Sequence, residues 1–117
     1  MRREELYLLD IVEAADHIAE FLRGKDHDGF LGDALLQAAV LQKLTVIGEA
    51  AARLPQSFHE RHSQVEWADI IGFRNIAVHA YFSVEWPIVW IAATQEAPEL
   101  GRQVAEILSR EYPDAQI

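Results

Sequence analysis

Apolar residues recur at helical spacing along nearly the whole chain. From about Glu4 to Leu22 they follow the i, i+3, i+4, i+7 rule for one buried helix face. A second helix is predicted from Asp33, whose side chain can cap it, to Leu54, where Pro55 stops it. The apolar positions of this helix cover most of its circumference, which predicts a central helix with more than one neighbour.

The second half of the chain continues the helical pattern. A third long helix is predicted from about Glu66 to between His79 and Phe82. Glu85 then suits the cap of a fourth helix, and Pro98 suits the first turn of a fifth that reaches about Tyr112. No alternating strand pattern occurs in the sequence. The pattern predicts one domain over residues 1–117, an all-α, up-and-down bundle of four to five helices.

The segments between these helices are polar. Residues 23–29 break the apolar pattern and are predicted to form a loop. Residues 57–63 are polar and can hold a short turn of helix, and His59 and His62 are three apart rather than the four of a zinc-protease helix. Residues 59–62 are therefore interpreted as a solvated turn rather than a metal motif. Gly48, within the second helix, permits close approach of a neighbouring helix.

Composition limits the function classes. Half of the residues are hydrophobic and 25% are charged, as in a soluble globular protein. The formal net charge of −9 argues against broad coating of nucleic acid, although it leaves room for an enzyme with a local basic site. The chain has no cysteine, and its acidic N-terminal segment is neither a signal peptide nor a membrane span. We expect a soluble cytoplasmic protein with no membrane contact.

The chemistry is concentrated in residues 72–82, where Arg74, Asn75, His79 and Tyr81 interrupt an apolar stretch. Such groups are costly to bury without partners, so they are predicted to form a polar network or a site. On a helix, at about 100° per residue, Asn75 and His79 share a face, as do Arg74 and Tyr81. Arg74 and His79 diverge by roughly 140°. Both can serve one site if the arginine curls round, if the helix ends near His79, or if a second chain brings its own copy.

These residue types suit RNA cleavage by an internal 2′-hydroxyl. His79 can transfer a proton near neutral pH, and Arg74 can grip a phosphate and stabilise its developing charge. Asn75 can orient the ring or a phosphate oxygen, and Tyr81 can donate to a phosphate or stack on a base. No carboxylate–histidine cluster has convincing ligand spacing, so neither a metal nor another cofactor is predicted.

Arg-Asn-x3-His-x-Tyr, preceded by Gly-Phe and followed by Phe, resembles the signature of HepT-like toxins of the HEPN superfamily. The likeness extends over most of the chain, and its flanking matches are Val46–Ala51 with Arg53-Leu54, Trp67, Ile88–Trp90 and Ala97–Leu100. The resemblance implies a HEPN-like helical bundle that dimerises, with the motifs of two subunits facing one cleft. Trp86-Pro87 is an unusual opening for the helix that follows the motif, and it affects packing more than chemistry.

The same resemblance implies a function. Arg74 and His79 would be the catalytic pair of a metal-independent endoribonuclease, and Asn75 would support them. The protein would be the toxin of a type II toxin–antitoxin pair, and its partner an MNT-type nucleotidyltransferase antitoxin, in a homodimer or a larger assembly with that antitoxin. The antitoxin would transfer AMP to Tyr81, and the charged adduct would block the cleft and repel RNA phosphates.

Other interpretations of these residues remain open. Arg74 can form a buried ion pair with Glu49 or Glu66, either instead of a catalytic role or together with it. His79 alone is more often structural than catalytic, and Tyr81 can be a core aromatic residue. The three tryptophans are interpreted as core or dimer-interface anchors.

Two other functions also fit the sequence. The first is a non-catalytic subunit that presents RNA or a nucleotide to its nucleotidyltransferase partner, and the net charge of −9 favours it slightly. The second is a plain helical dimerisation domain, which leaves the polar motif unexplained.

Overall fold

The computed structural model describes residues 3–79 and 84–115, and for residues 77–79 it describes the backbone alone. No strand occurs in these ranges, and the predicted all-α bundle is confirmed. The helices are α1 (Glu4–Leu22), α2 (His27–Leu31), α3 (Ala34–Arg53), α4 (Gln56–Arg61), α5 (Trp67–His79), α6 (Trp86–Ile91) and α7 (Ala97–Glu111), with a π-helical segment at Ala92–Glu96.

The core lies between four long helices. The central helix α3 packs against α1 on one side and α5 on the other, and α7 covers a further face of α1. Leu8, Ile11, Leu44 and Ile47 are fully buried between α1 and α3. Burying each such side chain stabilises the fold by about 1.5–3 kcal/mol. Periodicity alone therefore predicted α1, α3 and the start of α5 correctly, because each has one or two buried faces.

Helix α3 begins and ends where its sequence signals lie. The Asp33 carboxylate accepts a hydrogen bond from the backbone N–H of Leu36 at 3.0 Å, and Pro55 follows the last residues of the helix. Among the described residues, α3 is the helix long and apolar enough to cross a membrane by length and composition. Its contacts with α1 and α5 account for that composition, since a central helix of a bundle is apolar around most of its circumference.

The predicted loop at residues 23–29 is partly wrong, because α2 starts within it. Asp26 caps this short helix and accepts a hydrogen bond from the Gly29 N–H at 2.7 Å. Phe30 is fully buried, and its ring lies 5.9 Å from Trp86 and 5.3 Å from Trp90. One buried aromatic residue fixes α2, and a helix of five residues is too short to show a periodic pattern.

The predicted fourth and fifth helices form one continuous helix. No break separates α6 from α7, since the backbone stays helical through the π-helical segment. Pro98 has no N–H, and its ring would collide with the Thr94 carbonyl in a regular α-helix. A wider π-helical turn before Pro98 accommodates the ring without ending the helix. Glu85 is at the N-terminus of α6, as predicted, but its side chain makes no capping hydrogen bond.

The short turn of helix predicted within residues 57–63 is confirmed, but His59 and His62 are half-buried rather than solvated. Most of this segment is α4, which packs on the bundle through Phe58, a fully buried residue. The His59 ring stacks on Trp67 at 4.9 Å, and its Nε2 lies 2.9 Å from the carbonyl oxygen of Ala51. The Trp67 indole N–H donates to the carbonyl of His62 at 2.9 Å. Aromatic contacts, rather than solvation, hold this segment.

A charged cluster joins α4 to the end of α7 and to the start of α1. Arg61 Nη2 lies 3.0 Å from Glu111 Oε1, and His62 Nε2 lies 2.5 Å from Glu111 Oε2. The Tyr112 hydroxyl donates to Glu4 Oε2 at 2.8 Å. Arg61 Nη2 also lies 3.9 Å from Glu4 Oε2. The end of α7 is thereby tied to the start of α1 and to α4.

Candidate active site

The candidate site lies where α3 crosses α5. A Cβ atom built on Gly48 would lie 2.6 Å from the backbone nitrogen of Arg74 and 3.1 Å from the carbonyl oxygen of Ile71. Real Cβ atoms do not come so close to backbone atoms, so a larger residue at position 48 would push the helices apart. The predicted role of Gly48 in close helix approach is confirmed, and its partner is the arginine of the motif.

Arg74 points its guanidinium back toward α3. Its Nη1 lies 3.6 Å from Oε1 of Glu49, the residue after Gly48. The side chains are 39% and 48% exposed respectively, so this is a half-exposed ion pair and not the buried one considered from the sequence. Of the two partners considered for Arg74, the structure pairs it with Glu49. The exposure leaves the guanidinium accessible to a ligand in solvent.

The polar residues of the motif lie at the edge of the core. Ile70 and Phe73 are buried and fix the rotation of α5 against α3. Arg74 and Asn75 come next in the helix, where Arg74 is half-buried and Asn75 is exposed. No polar or charged residue is buried within residues 3–76 and 84–115. The polar groups that are described thus face solvent and form no interior network.

Two of the predicted site residues cannot be compared with the structure. The backbone of α5 is helical through His79, so positions 74 and 79 lie roughly 140° apart around its axis. The side chain of His79 and the whole of Tyr81 lie outside the described residues. The structure places Arg74 at the crossing and leaves the neighbouring Asn75 exposed on α5, and the roles of His79 and Tyr81 stay predictions.

An open groove of about 460 Å³ adjoins the ion pair. Glu49 forms part of its wall, together with Gln42 before it and Arg53 after it on α3. Helix α1 closes the other side with Tyr7 and Asp10. The sequence analysis did not identify this groove. The four-residue spacing of Glu49 and Arg53 signals a shared polar face on α3, but which helix lies opposite depends on the tertiary packing.

Chemically, the described side chains offer a cation at the edge of a mixed-charge groove. The charged residues in the wall of the groove are Arg53, Glu49 and Asp10, and Arg74 pairs with Glu49 from α5. No group of three or more histidine, aspartate or glutamate side chains that could hold a metal ion occurs in the described part of the chain. A guanidinium with an exposed edge can bind a phosphate through two parallel N–H donors.

The sequence profile described as "Ribonuclease HepT-like" matches residues 11–107. The chain belongs to the HepT-like ribonuclease family. The match covers α3 and α5 and therefore both sides of the Gly48–Arg74 crossing. The resemblance inferred from the Arg-Asn-x3-His-x-Tyr motif is confirmed at the level of this family.

Individual members of the HepT-like family are similar over nearly their full length. "Putative RNase TTE0752" of Caldanaerobacter subterraneus is 38% identical over 111 residues, which cover 95% of this chain and 99% of that protein. "Probable ribonuclease HepT" of Thermococcus cleftensis is 35% identical over 99 residues, 85% of this chain and 90% of that protein. No solved structure matches the chain at a significant level.

Proposed function

We propose that this protein is a metal-independent endoribonuclease and the toxin of a type II toxin–antitoxin pair. Membership of the HepT-like family supports RNA as the substrate. The observation that carries the proposal is the half-exposed guanidinium of Arg74, held at the α3–α5 crossing by packing and paired with Glu49, which forms part of the wall of an open groove. An arginine so placed can bind an RNA phosphate while its helix remains anchored in the core.

The proposed reaction is attack by the ribose 2′-hydroxyl on the adjacent phosphorus. His79 takes the 2′-hydroxyl proton or supplies a proton to the departing 5′-oxygen. The bond from phosphorus to the 5′-oxygen breaks, and the products are a 2′,3′-cyclic phosphate and a free 5′-hydroxyl. Arg74 stabilises the negative charge that develops on the phosphate oxygens, and Asn75 positions the phosphate in the cleft.

We further propose that the enzyme acts as a homodimer through an exposed stripe of α3. The α3 stripe consists of positions 35, 38, 42, 45 and 49, and at its start Leu35 is 82% exposed. Beside it lies a largely apolar groove of about 540 Å³, bounded by Leu41, Val84 and Trp86. Because Glu49 ends the stripe, a two-fold partner docked there approaches Arg74, and two motifs can then share one cleft.

Control of the enzyme is proposed to come from an MNT-type nucleotidyltransferase antitoxin in the cytoplasm. The tyrosine oxygen of Tyr81 would attack the α-phosphorus of ATP, forming Tyr81–AMP and releasing pyrophosphate. The phosphodiester adds negative charge next to the cleft and opposes RNA binding. Incubation with the antitoxin and ATP is expected to add one AMP mass to the wild type and none to Tyr81→Phe. An equal mass gain in both would place the modification elsewhere.

The central experiment is RNA cleavage in EDTA by protein purified without its antitoxin. Wild type, Arg74→Ala and His79→Ala are compared, and cyclic phosphate ends are detected chemically. Cleavage by the wild type alone is expected. Removing one transition-state contact commonly costs about 10²–10³-fold in rate. Undiminished cleavage by either variant would remove that residue from the mechanism, and loss of wild-type activity in EDTA would show that a metal is needed.

A second candidate is a non-catalytic subunit that presents RNA or a nucleotide to the nucleotidyltransferase. The specific observation in its favour is charge, since Glu49 neutralises Arg74 and the chain carries a net −9. Expression without the antitoxin separates the two candidates, because a ribonuclease toxin arrests growth whereas a presenting subunit leaves growth unchanged.

A further inference from the structure

We propose that Glu49 is the positioning residue of Arg74, an inference that rests on the proposed ribonuclease function. Glu49 Oε1 lies 3.6 Å from Arg74 Nη1, and the two residues come from different helices. Glu49 precedes Arg74, the first residue of the Arg-Asn-x3-His-x-Tyr segment, by 25 positions. The active site would therefore include a carboxylate from α3 that the motif does not contain.

The backbone of Glu49 is well suited to hold another side chain in place. Its neighbours Ile47 and Ala50 are buried in the core, so α3 is fixed at this level. Gly48 brings the backbone of α3 against Arg74 itself. Since the crossing leaves no room for a Cβ atom at Gly48, the distance between the Glu49 and Arg74 backbones is set by packing.

The side chain of Arg74, in contrast, needs an external restraint. It is 39% exposed, and a free arginine side chain has many accessible rotamers. If such a side chain becomes ordered only in the transition state, the lost conformational entropy slows the reaction. A partner that already restricts the side chain in the free enzyme removes this cost. Glu49, on α3, is the partner that restricts the Arg74 side chain.

The contact leaves donors for the substrate. A guanidinium has five N–H groups in a planar fork, and the Glu49 contact is made at Nη1. The other N–H groups of the fork can bind a phosphate. Because the pair is half-exposed and screened by water, Glu49 does not hold Arg74 tightly enough to exclude an RNA phosphate. A positioning role is thus favoured over one in which Glu49 competes with the substrate.

The test compares Glu49→Gln, Glu49→Ala and Glu49→Asp with the wild type. Glu99→Gln is the matched control, since Glu99 also pairs with an arginine, Arg102, at 2.5 Å on the remote helix α7. Three quantities are measured: kcat and KM for RNA cleavage, and the NMR order parameter of the Arg74 Nε–H group without RNA.

We expect Glu49→Ala to lower kcat by about tenfold or more, with KM nearly unchanged, because misplacing a catalytic group acts on the reaction step. Glu49→Gln should lose less, since its amide oxygen still turns a partial negative charge toward Arg74, and Glu49→Asp should recover part of the loss. The Arg74 order parameter should fall in Glu49→Ala and stay unchanged in Glu99→Gln. Equal melting temperatures exclude a general folding effect.

Two results would overturn the inference. Cleavage by Glu49→Gln and Glu49→Ala at or above the wild-type rate would make Glu49 a bystander or a competitor. An unchanged Arg74 order parameter would show that Glu49 does not restrain the guanidinium. If the wild type cleaves no RNA, the proposed function fails first, and the order parameter still decides whether Glu49 positions Arg74.

Discussion

Gly48 and Arg74 meet at the crossing of α3 and α5 so closely that a Cβ on Gly48 would lie 3.0 Å from the Arg74 Cβ and 2.6 Å from its backbone nitrogen. This contact joins the centre of the bundle to the motif that carries the candidate chemistry. The packing of two helices and the position of the candidate catalytic arginine thus depend on the same glycine.

Replacing Gly48 by alanine is expected to destabilise the protein and to weaken cleavage. The added methyl group meets backbone atoms that cannot rotate away, so α3 and α5 must separate. Overpacking of this kind costs about 1–3 kcal/mol in the free energy of unfolding. Because Glu49 moves with Gly48, the Glu49–Arg74 distance changes as well. Chemical denaturation measures the stability loss, and the RNA-cleavage assay measures the loss of activity.

Gly72→Ala is the matched control for Gly48→Ala. Gly72 lies in α5, yet a Cβ there would have no atom within 4 Å. Alanine is favoured over glycine inside a helix by about 0.5–1 kcal/mol, so this variant should be more stable than the wild type. If Gly48→Ala is as stable as Gly72→Ala, the crossing tolerates a side chain and the close contact has no energetic significance.

The predicted homodimer can be tested on two exposed apolar residues. Leu35 begins the α3 stripe and is 82% exposed, whereas Ile88 on α6 is 57% exposed and lies outside the stripe. Neither is buried in the monomer, so a charge at either position should change its stability by no more than about 0.5 kcal/mol. Sedimentation velocity should show dimers for wild type and Ile88→Glu and monomers for Leu35→Glu. A dimeric Leu35→Glu would place the interface elsewhere, and a monomeric wild type would contradict the homodimer itself.

Different parts of this fold were predictable to different degrees. Helices α1 and α3 follow from periodicity because each is long and has a continuous buried face, and the cap at Asp33 marks the start of α3. The short helix α2 was missed because it is held by one buried aromatic residue, Phe30, whose partner Trp90 comes from a distant segment, whereas α4 was predicted as a short turn of helix. The continuity of α6 with α7 was missed because Pro98 is a stop signal unless a π-helical turn accommodates it.

The residues of the candidate site were likewise predictable from the sequence only in part. The motif identified Arg74 and Asn75, and Gly48 was recognised as a point of close helix approach. Which residue Arg74 pairs with, and that the pair is half-exposed, depends on the rotation of α5 about its axis. Periodicity gives that rotation only roughly, whereas the buried Phe73 and Ile70 fix it. The groove beside Glu49 requires the position of α1, which no local pattern specifies.

Tyr112 is expected to ionise only at strongly alkaline pH. Burial raises its pKa to about 12, and the hydrogen bond to the negatively charged Glu4 acts in the same direction. A raised pKa in the folded state means that the contribution to stability is complete below the ordinary value of about 10 and is lost as the pH rises toward 12. Tyr112→Phe loses the hydrogen bond, at a cost of about 0.5–1.5 kcal/mol near neutral pH. Titration of tyrosinate absorbance should show a component near 12 in the wild type that Tyr112→Phe lacks; its presence in both would assign it to another tyrosine.

Glu111 lies at the same end of the bundle as Tyr112, and its contribution to stability has the opposite pH dependence. Its partial burial alone would raise the pKa of the carboxyl, but the hydrogen bond from Arg61 and the charges of His62 and Arg61 outweigh burial and lower it. Glu4 and Tyr112 are the other ionisable groups in this cluster. Because the pKa of Glu111 is lowered, the stabilising contribution of its carboxylate is present above the ordinary carboxyl pKa of about 4.3. That contribution is lost as the pH falls through the lowered pKa.

Glu111→Gln should thus destabilise the protein at neutral pH and much less in acid. The glutamine keeps the size of the side chain but loses the charge that attracts Arg61 and His62. Denaturation at pH 7 should show a lower melting temperature than the wild type, and the difference should narrow steadily as the pH falls below about 4.3. Glu99→Gln is the control, because the Glu99–Arg102 pair joins residues of one exposed helix turn and connects no separate elements. A difference between wild type and Glu111→Gln that stays constant from neutral to acidic pH would show that the contact of Glu111 with α4 acts through packing and not through charge.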